Sequence, residues 1–132
     1  VFIAPNAKIK YPFSDLGLAP EVGSSFLLFQ SLGYQQAAQR LFESQPIDGN
    51  RYHELGLAKY VGEDFFDEAN KYAHMLKEQS LSSIIETKAI LKSFMQEDLA
   101  KSRSMETAAM KKLFGSEDNI KAVEKFFAKK NK

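Results

Sequence analysis

All four prolines of this chain, Pro5, Pro12, Pro20 and Pro46, lie within its first 46 residues. Proline lacks a backbone donor and is excluded from helix interiors and central strands. The segment up to Pro46 must therefore fold in short pieces, whereas nothing after it forbids long helices. Residues 1–4 and 7–11 are partly β-branched and are separated by Pro5-Asn6, so they read as two short strands around a turn. Residues 13–18 read as a loop or a single helical turn. Pro20 suits the first helical position, where its missing N–H costs nothing. Val22, Phe26, Phe29 and Leu32 then recur at helical spacing.

Gly33 is expected to end that helix, and Ala37, Ala38, Leu41 and Phe42 define the next. Asp48 is a plausible N-cap for a short helix through Leu55, closed by Gly56. Residues 57–61 suit a strand. Phe65, Ala69, Tyr72 and Leu76 mark one face of an amphipathic helix. Ile84, Lys88, Leu91 and Met95, with Ile85 and Phe94 alongside, mark another. Residues 99–114 read as a third helix. Gly115 breaks it, Ser116 caps, and Ile120, Val123 and Phe127 stripe a last one. Such stripes imply core or subunit packing. Two short strands alone are marginal, so residues 1–4 are expected to need sheet neighbours that this chain lacks.

A length of 132 residues fits one ordinary domain, and 44% hydrophobic with 27% charged residues is a globular composition. The net charge of +1 gives no global electrostatic case for a nucleic-acid or membrane partner. Absence of cysteine excludes disulfide and thiol chemistry. His53 and His74 form no ligand-like pair, so no metal is expected, and no cofactor is implied. No signal peptide or bilayer-length apolar run is present. A cytoplasmic location is the default expectation. The first residue is Val1, which suggests a piece or a processed product.

Residues 11–25, YPFSDLGLAPEVGSS, carry the candidate chemistry. Two prolines and two glycines pin a loop leading into an apolar helix, and one carboxylate, Glu21, stands at the junction. Leu18, Ala19, Val22 and Phe26 flank it. A carboxylate among apolar neighbours can serve as a proton-transfer base beside an apolar substrate. An acidic residue there also simply complements the helix dipole. The lysines from Lys111 to Lys132 read in the same plain way, as a solvated helix face.

The run FIAPNAKIKYPFSDLGLAPEVGSS resembles the central segment of the crotonase superfamily, the enoyl-CoA hydratases and isomerases. LGYQQAAQRLFESQPID followed by ELGLAKYV resembles that family's helix, turn and GLV strand. IIETKAIL resembles its "TK" helix, and SEDNIKAVEKFFAKK its C-terminal helix. The resemblance spans the whole chain in one colinear order. It implies an α/β fold: the C-terminal half of the crotonase (ClpP-like) ββα spiral, with a predominantly helical trimerisation region. Residues 1–62 would belong to the spiral core and residues 63–132 to the helical oligomerisation region. A trimer, or a hexamer of paired trimers, is implied. The glycine-rich loop that builds the family's oxyanion hole has no counterpart among the seven glycines here. The N-terminal half of the fold is thus an implied partner, and the isolated chain is expected to be inactive.

Hydratases of the family commonly carry a glutamate where this chain has Phe13. Eight residues later stands Glu21, in P-E-x-x-S. That pattern resembles the peroxisomal-type and related bacterial 3,2-trans-enoyl-CoA isomerases of fatty acid β-oxidation, in which one glutamate shuttles a proton between C2 and C4. The resemblance thus implies an isomerase acting on an acyl-CoA thioester, with Glu21 as acid–base. Phe13 and Leu16 would line the acyl site and exclude water, and Lys129 and Lys130 would contact CoA phosphates. Two alternatives remain open. One is an enoyl-CoA hydratase whose other glutamate lies in the absent half of the fold; the other is a non-catalytic crotonase-like interaction domain.

Overall fold

The computed structural model describes residues 1–130, with side chains through Ala128. The chain divides into two compact units, Val1–Ile9 with Ile47–Glu97 and Lys10–Pro46 with Asp98–Lys132.

In the first unit, β1 (Phe2–Ile3) pairs in parallel with β2 (Tyr60–Val61), Phe2 opposite Tyr60 and Ile3 opposite Val61. Residues 1–4 and 7–11 are therefore not two strands of one hairpin. The turn at Pro5-Asn6 does form, with Ala7 N–H donating to Ala4 C=O at 3.2 Å. It sends the chain to a different partner: Ile9 bridges Ile47 in antiparallel fashion, through two 2.9 Å bonds. Side-chain packing selects the partner of so short a strand. The Phe2 ring lies 6.2 Å from Tyr60 and 5.6 Å from Tyr72. The expectation that residues 1–4 lack any neighbour within the chain is corrected by the same pairing.

Asp48 caps α2 (Gly49–Glu54) as its sequence position implies, accepting the Arg51 N–H at 2.8 Å. Helix α3 (Phe65–Lys77) lays Tyr72 against Phe2, with Lys59 Nζ 4.6 Å from the Tyr72 ring centroid. Such a cation over an aromatic face contributes modestly at an exposed site. The Tyr60 hydroxyl donates to Asp64 at 2.5 Å, and that bond to a carboxylate pushes the phenol up to about 12. Helix α4 (Leu81–Ser93) starts on Ser80, which accepts the Ser83 N–H at 3.4 Å. Its apolar residues stay open to solvent, with Leu81 70% and Leu91 59% exposed.

The second unit holds a 3-10 turn (Ser14–Leu16), α1 (Ser24–Glu43), most of α5 (Gln96–Leu113) and α6 (Glu117–Lys130). Pro20 is not the first helical residue; α1 begins at Ser24. The reason is local: Val22 and Gly23 both take positive φ, 61° and 83°, which no α-helix admits. At Gly33, φ 72° and ψ 170° interrupt α1, so the sequence break expected there is present. Polar ties fix the loops. Asn119 Nδ2 donates to Leu16 C=O at 2.7 Å, holding the 3-10 turn on α6. Ser44, 1% exposed, donates to Tyr11 C=O at 2.9 Å. Ser14 donates to Phe42 C=O at 2.7 Å, tying the turn to the end of α1.

The buried apolar residues include Leu28 and Ala37 in the second unit and Ile47 and Ala58 in the first. Gly49, the first residue of α2, lies against the turn that follows β1. Its N–H reaches Pro5 C=O at 3.0 Å, and an added Cβ would stand 2.0 Å from Ala4 C=O. That oxygen is backbone and cannot swing aside. Gly49→Ala should therefore destabilise by about 3 kcal/mol, the upper end for overpacking. Urea denaturation checks this, and a loss below about 0.5 kcal/mol would contradict the packing described.

Candidate active site

Glu21 opens a four-residue turn rather than a helix. Its carbonyl accepts the Ser24 N–H at 3.0 Å and the Ser24 hydroxyl at 2.7 Å. With positive φ at both central residues, Val22 and Gly23, the turn has the signature of type I′. Glycine adopts this region freely, but valine does not: its branched Cβ clashes there, at a penalty of about 1–3 kcal/mol. Such a residue persists only where neighbours over-determine it.

The neighbour here is Glu106, from α5. Gly23 N–H donates to Glu106 Oε2 at 2.6 Å, and Ser25 N–H to Oε1 at 2.9 Å. The Ser25 hydroxyl adds a 2.5 Å bond to Oε1, and Ser102 stands 3.4 Å from that oxygen and 2.9 Å from Ser25 Oγ. Glu106 is only 6% exposed. A lone buried carboxylate would be costly, but one that accepts several N–H and O–H donors is satisfied. Burial pushes its pKa up. The Ser25 hydroxyl and N–H, the Gly23 N–H and the Ser102 hydroxyl outweigh that and hold it below the ordinary value. Helix α1 takes no side-chain cap from its own N-cap, Gly23. Glu106 fills that role from more than 80 residues away.

Glu21 itself is exposed, with Val22 72% exposed beside it. Its side chain makes no hydrogen bond or ion pair among the described residues. It lines a cavity of about 400 Å³ with Val22, Arg103, Glu106, Thr107, Met110 and Lys111. Phe13 and Leu16 are half-buried and stand outside that lining; they belong to the 3-10 turn and its N-cap. The side chains of Lys129 and Lys130, at the end of α6, lie outside the described residues. A larger cavity of about 690 Å³ is lined by Lys10, Lys121, Lys125 and Phe126 among others, and does not include Glu21. Lys10 is paired with Asp15, and Lys121 with Glu117. Among the described residues no cluster of three or more metal-ligating side chains occurs. No described helix is long and apolar enough to cross a membrane.

Sequence reasoning singled out Glu21 as a candidate and did not consider Glu106. The pair Ser102 and Glu106, one helical turn apart on α5, was the available local signal. Nothing local says that this face meets residues 23–25.

The sequence model of the family described as enoyl-CoA hydratase/isomerase matches residues 1–132. The chain belongs to the enoyl-CoA hydratase/isomerase family. Among relatives is YhaR of Bacillus subtilis, provisionally described as an enoyl-CoA hydratase/isomerase. It is 26% identical over 98% of this chain and 51% of its own length. Among solved structures, OdaA of Pseudomonas aeruginosa superposes with a TM-score of 0.88 at 31% identity, over 96% of this chain and 52% of that one. An enoyl-CoA hydratase/isomerase from Pseudoalteromonas atlantica T6c gives 0.88 at 23% identity over the same shares. The crotonase fold is thereby shown, including its helical C-terminal region. The chain spans about half the length of the relatives it matches.

The Glu106 clasp has a pH signature. Its stabilisation is fully present above the ordinary glutamate value of 4.5 and is lost as pH falls through the lowered folded value. Glu106→Gln should lower stability at neutral pH by about 2–3 kcal/mol, the scale of hydrogen bonds to a charged group. Denaturation curves of the two proteins should converge as the pH falls from 4.5 through the lowered folded value. A difference that stays constant down to pH 2 would contradict the clasp.

Proposed function

We propose that this chain carries the acid–base residue of an enoyl-CoA isomerase, and that Glu21 is that residue. What supports the reading is that Glu21 is an exposed carboxylate, unpaired among the described residues, on a hydrogen-bonded turn that lines a cavity. Phe13, at the position where family hydratases carry an acid, has no group that could activate water.

The chemistry needs one base and a stabilised oxyanion. The Glu21 carboxylate takes a proton from C2 of a 3-enoyl thioester. The electron pair moves through a dienolate on the thioester oxygen, and the same carboxyl returns the proton to C4. Proton loss beside a thioester is feasible only where hydrogen-bond donors meet the developing oxyanion. In our reading those donors lie in the half of the fold that this chain does not span. A single base serves both carbons if water is kept from it, the role we assign to Phe13 and Leu16. The exposed apolar residues of α4 support reading residues 63–132 as an oligomerisation region, in a trimer or a hexamer.

In the intact protein, Glu21→Gln should lower kcat for conversion of 3-enoyl-CoA to 2-enoyl-CoA by about 10²–10⁴-fold, the range for a lost general base. KM should change little, because the change is nearly isosteric. Retained activity would remove Glu21 from the mechanism. Hydration of 2-enoyl-CoA faster than isomerisation would favour the hydratase reading, with its acid on another segment. Absence of both activities, with acyl-CoA unbound, would leave an interaction domain.

The phosphate role of Lys129 and Lys130 has its own check. Replacing both by alanine should weaken binding of a CoA ester more than of a pantetheine ester that lacks the nucleotide. The difference should shrink in high salt, since exposed charges are screened. Equal weakening of the two esters would point to a solvated helix face.

A further inference from the structure

We infer that Glu106 is a positioning residue that fixes where the Glu21 carboxylate stands, an inference that rests on the acid–base reading of Glu21. The Glu21 side chain makes no hydrogen bond or ion pair among the described residues, so its location follows its own backbone. That backbone belongs to the Glu21–Ser24 turn, whose two central residues hold positive φ. The N-cap of α1, Gly23, has no side chain to offer, and the Ser24 hydroxyl points back to the Glu21 carbonyl. Glu106 supplies what is missing. One of its oxygens takes the Gly23 N–H and the other takes the Ser25 N–H and hydroxyl.

The residue type matters. An ionised carboxylate only accepts, which suits two backbone donors and a hydroxyl donor. A glutamine has the same shape, but its amide would set N–H against N–H at one of those positions. Gly23 N–H, which follows Val22, would then lose the acceptor that holds the turn in its left-handed conformation, and the turn would relax. A shift of about 1 Å at a reacting group is enough to cost about 100-fold in rate.

The test is a double-mutant cycle in the intact protein, with kcat for 3-enoyl-CoA isomerisation and unfolding stability measured on every variant. Glu106→Gln alone should lower kcat about 10- to 100-fold with KM little changed. In the Glu21→Gln background it should lower kcat no further, while the stability loss is the same in both backgrounds. A structural role alone would give no such split. If Glu106→Gln does not fold, Ser25→Ala removes one bond to Glu106 and keeps both backbone donors. It should show the same non-additivity on a smaller scale. Equal loss of kcat in both backgrounds, or no loss with Glu21 present, overturns the positioning role and leaves the isomerase reading intact. A silent Glu21→Gln overturns both.

Discussion

The carboxylate of Glu106 and the donors at the start of α1 form the interaction on which the candidate site depends. The first N–H groups of any helix lack partners inside it. A short polar residue at the N-cap usually meets this need. Here the N-cap is Gly23, with no side chain to offer, and the acceptor comes from α5. The interaction therefore does two things: it pairs the donors at the start of α1 with a buried acceptor, and it joins two helices distant in sequence. It also permits the turn that precedes α1. With the cap supplied from outside, residues 22 and 23 are free to take the left-handed conformation that turns Glu21 out of the helix.

The same device recurs through the second unit. Asn119 closes the C-terminal end of α5 by accepting the Gly115 N–H at 2.9 Å, and also donates to the 3-10 turn. Ser44 and Ser14 link that turn to the end of α1. Each is a side chain satisfying a backbone group that would otherwise be orphaned at an element's end. Such ties specify geometry more than they add stability, since a satisfied hydrogen bond contributes only about 1 kcal/mol net. They suit a region that must hold a loop in one conformation.

Apolar burial is distributed differently. Leu28, Ala37, Ile47 and Ala58 are buried, while Phe66, Leu81, Phe94 and Phe114 are each about 70% exposed. Large apolar side chains left open along helices mark surfaces that pack against something else. The chain spans about half the length of its relatives. Both the rest of the fold and further copies of the chain are consistent occupants under the proposed function.

Much of the helical architecture was written locally. Periodic apolar residues, Asp48 and Ser116 as caps, and Gly33 and Gly115 as interruptions act within a turn or two of chain, so α2 to α6 could be read without a partner. Glu21 stood out as a candidate because an acid between Pro20 and Gly23, at the mouth of an apolar helix, is a local pattern. Tertiary structure decided the rest. Strands of two residues carry too little pairing energy to choose a neighbour, so Phe2 found Tyr60 and Tyr72 rather than residues 7–11. The start of α1 moved from Pro20 to Ser24 because Val22 and Gly23 take positive φ, and the acceptor that meets the donors of that turn lies on α5. No pattern within residues 11–25 encodes that acceptor. A hydrogen bond between residues 81 to 83 positions apart depends on how helices pack, and packing is decided only when the chain is folded.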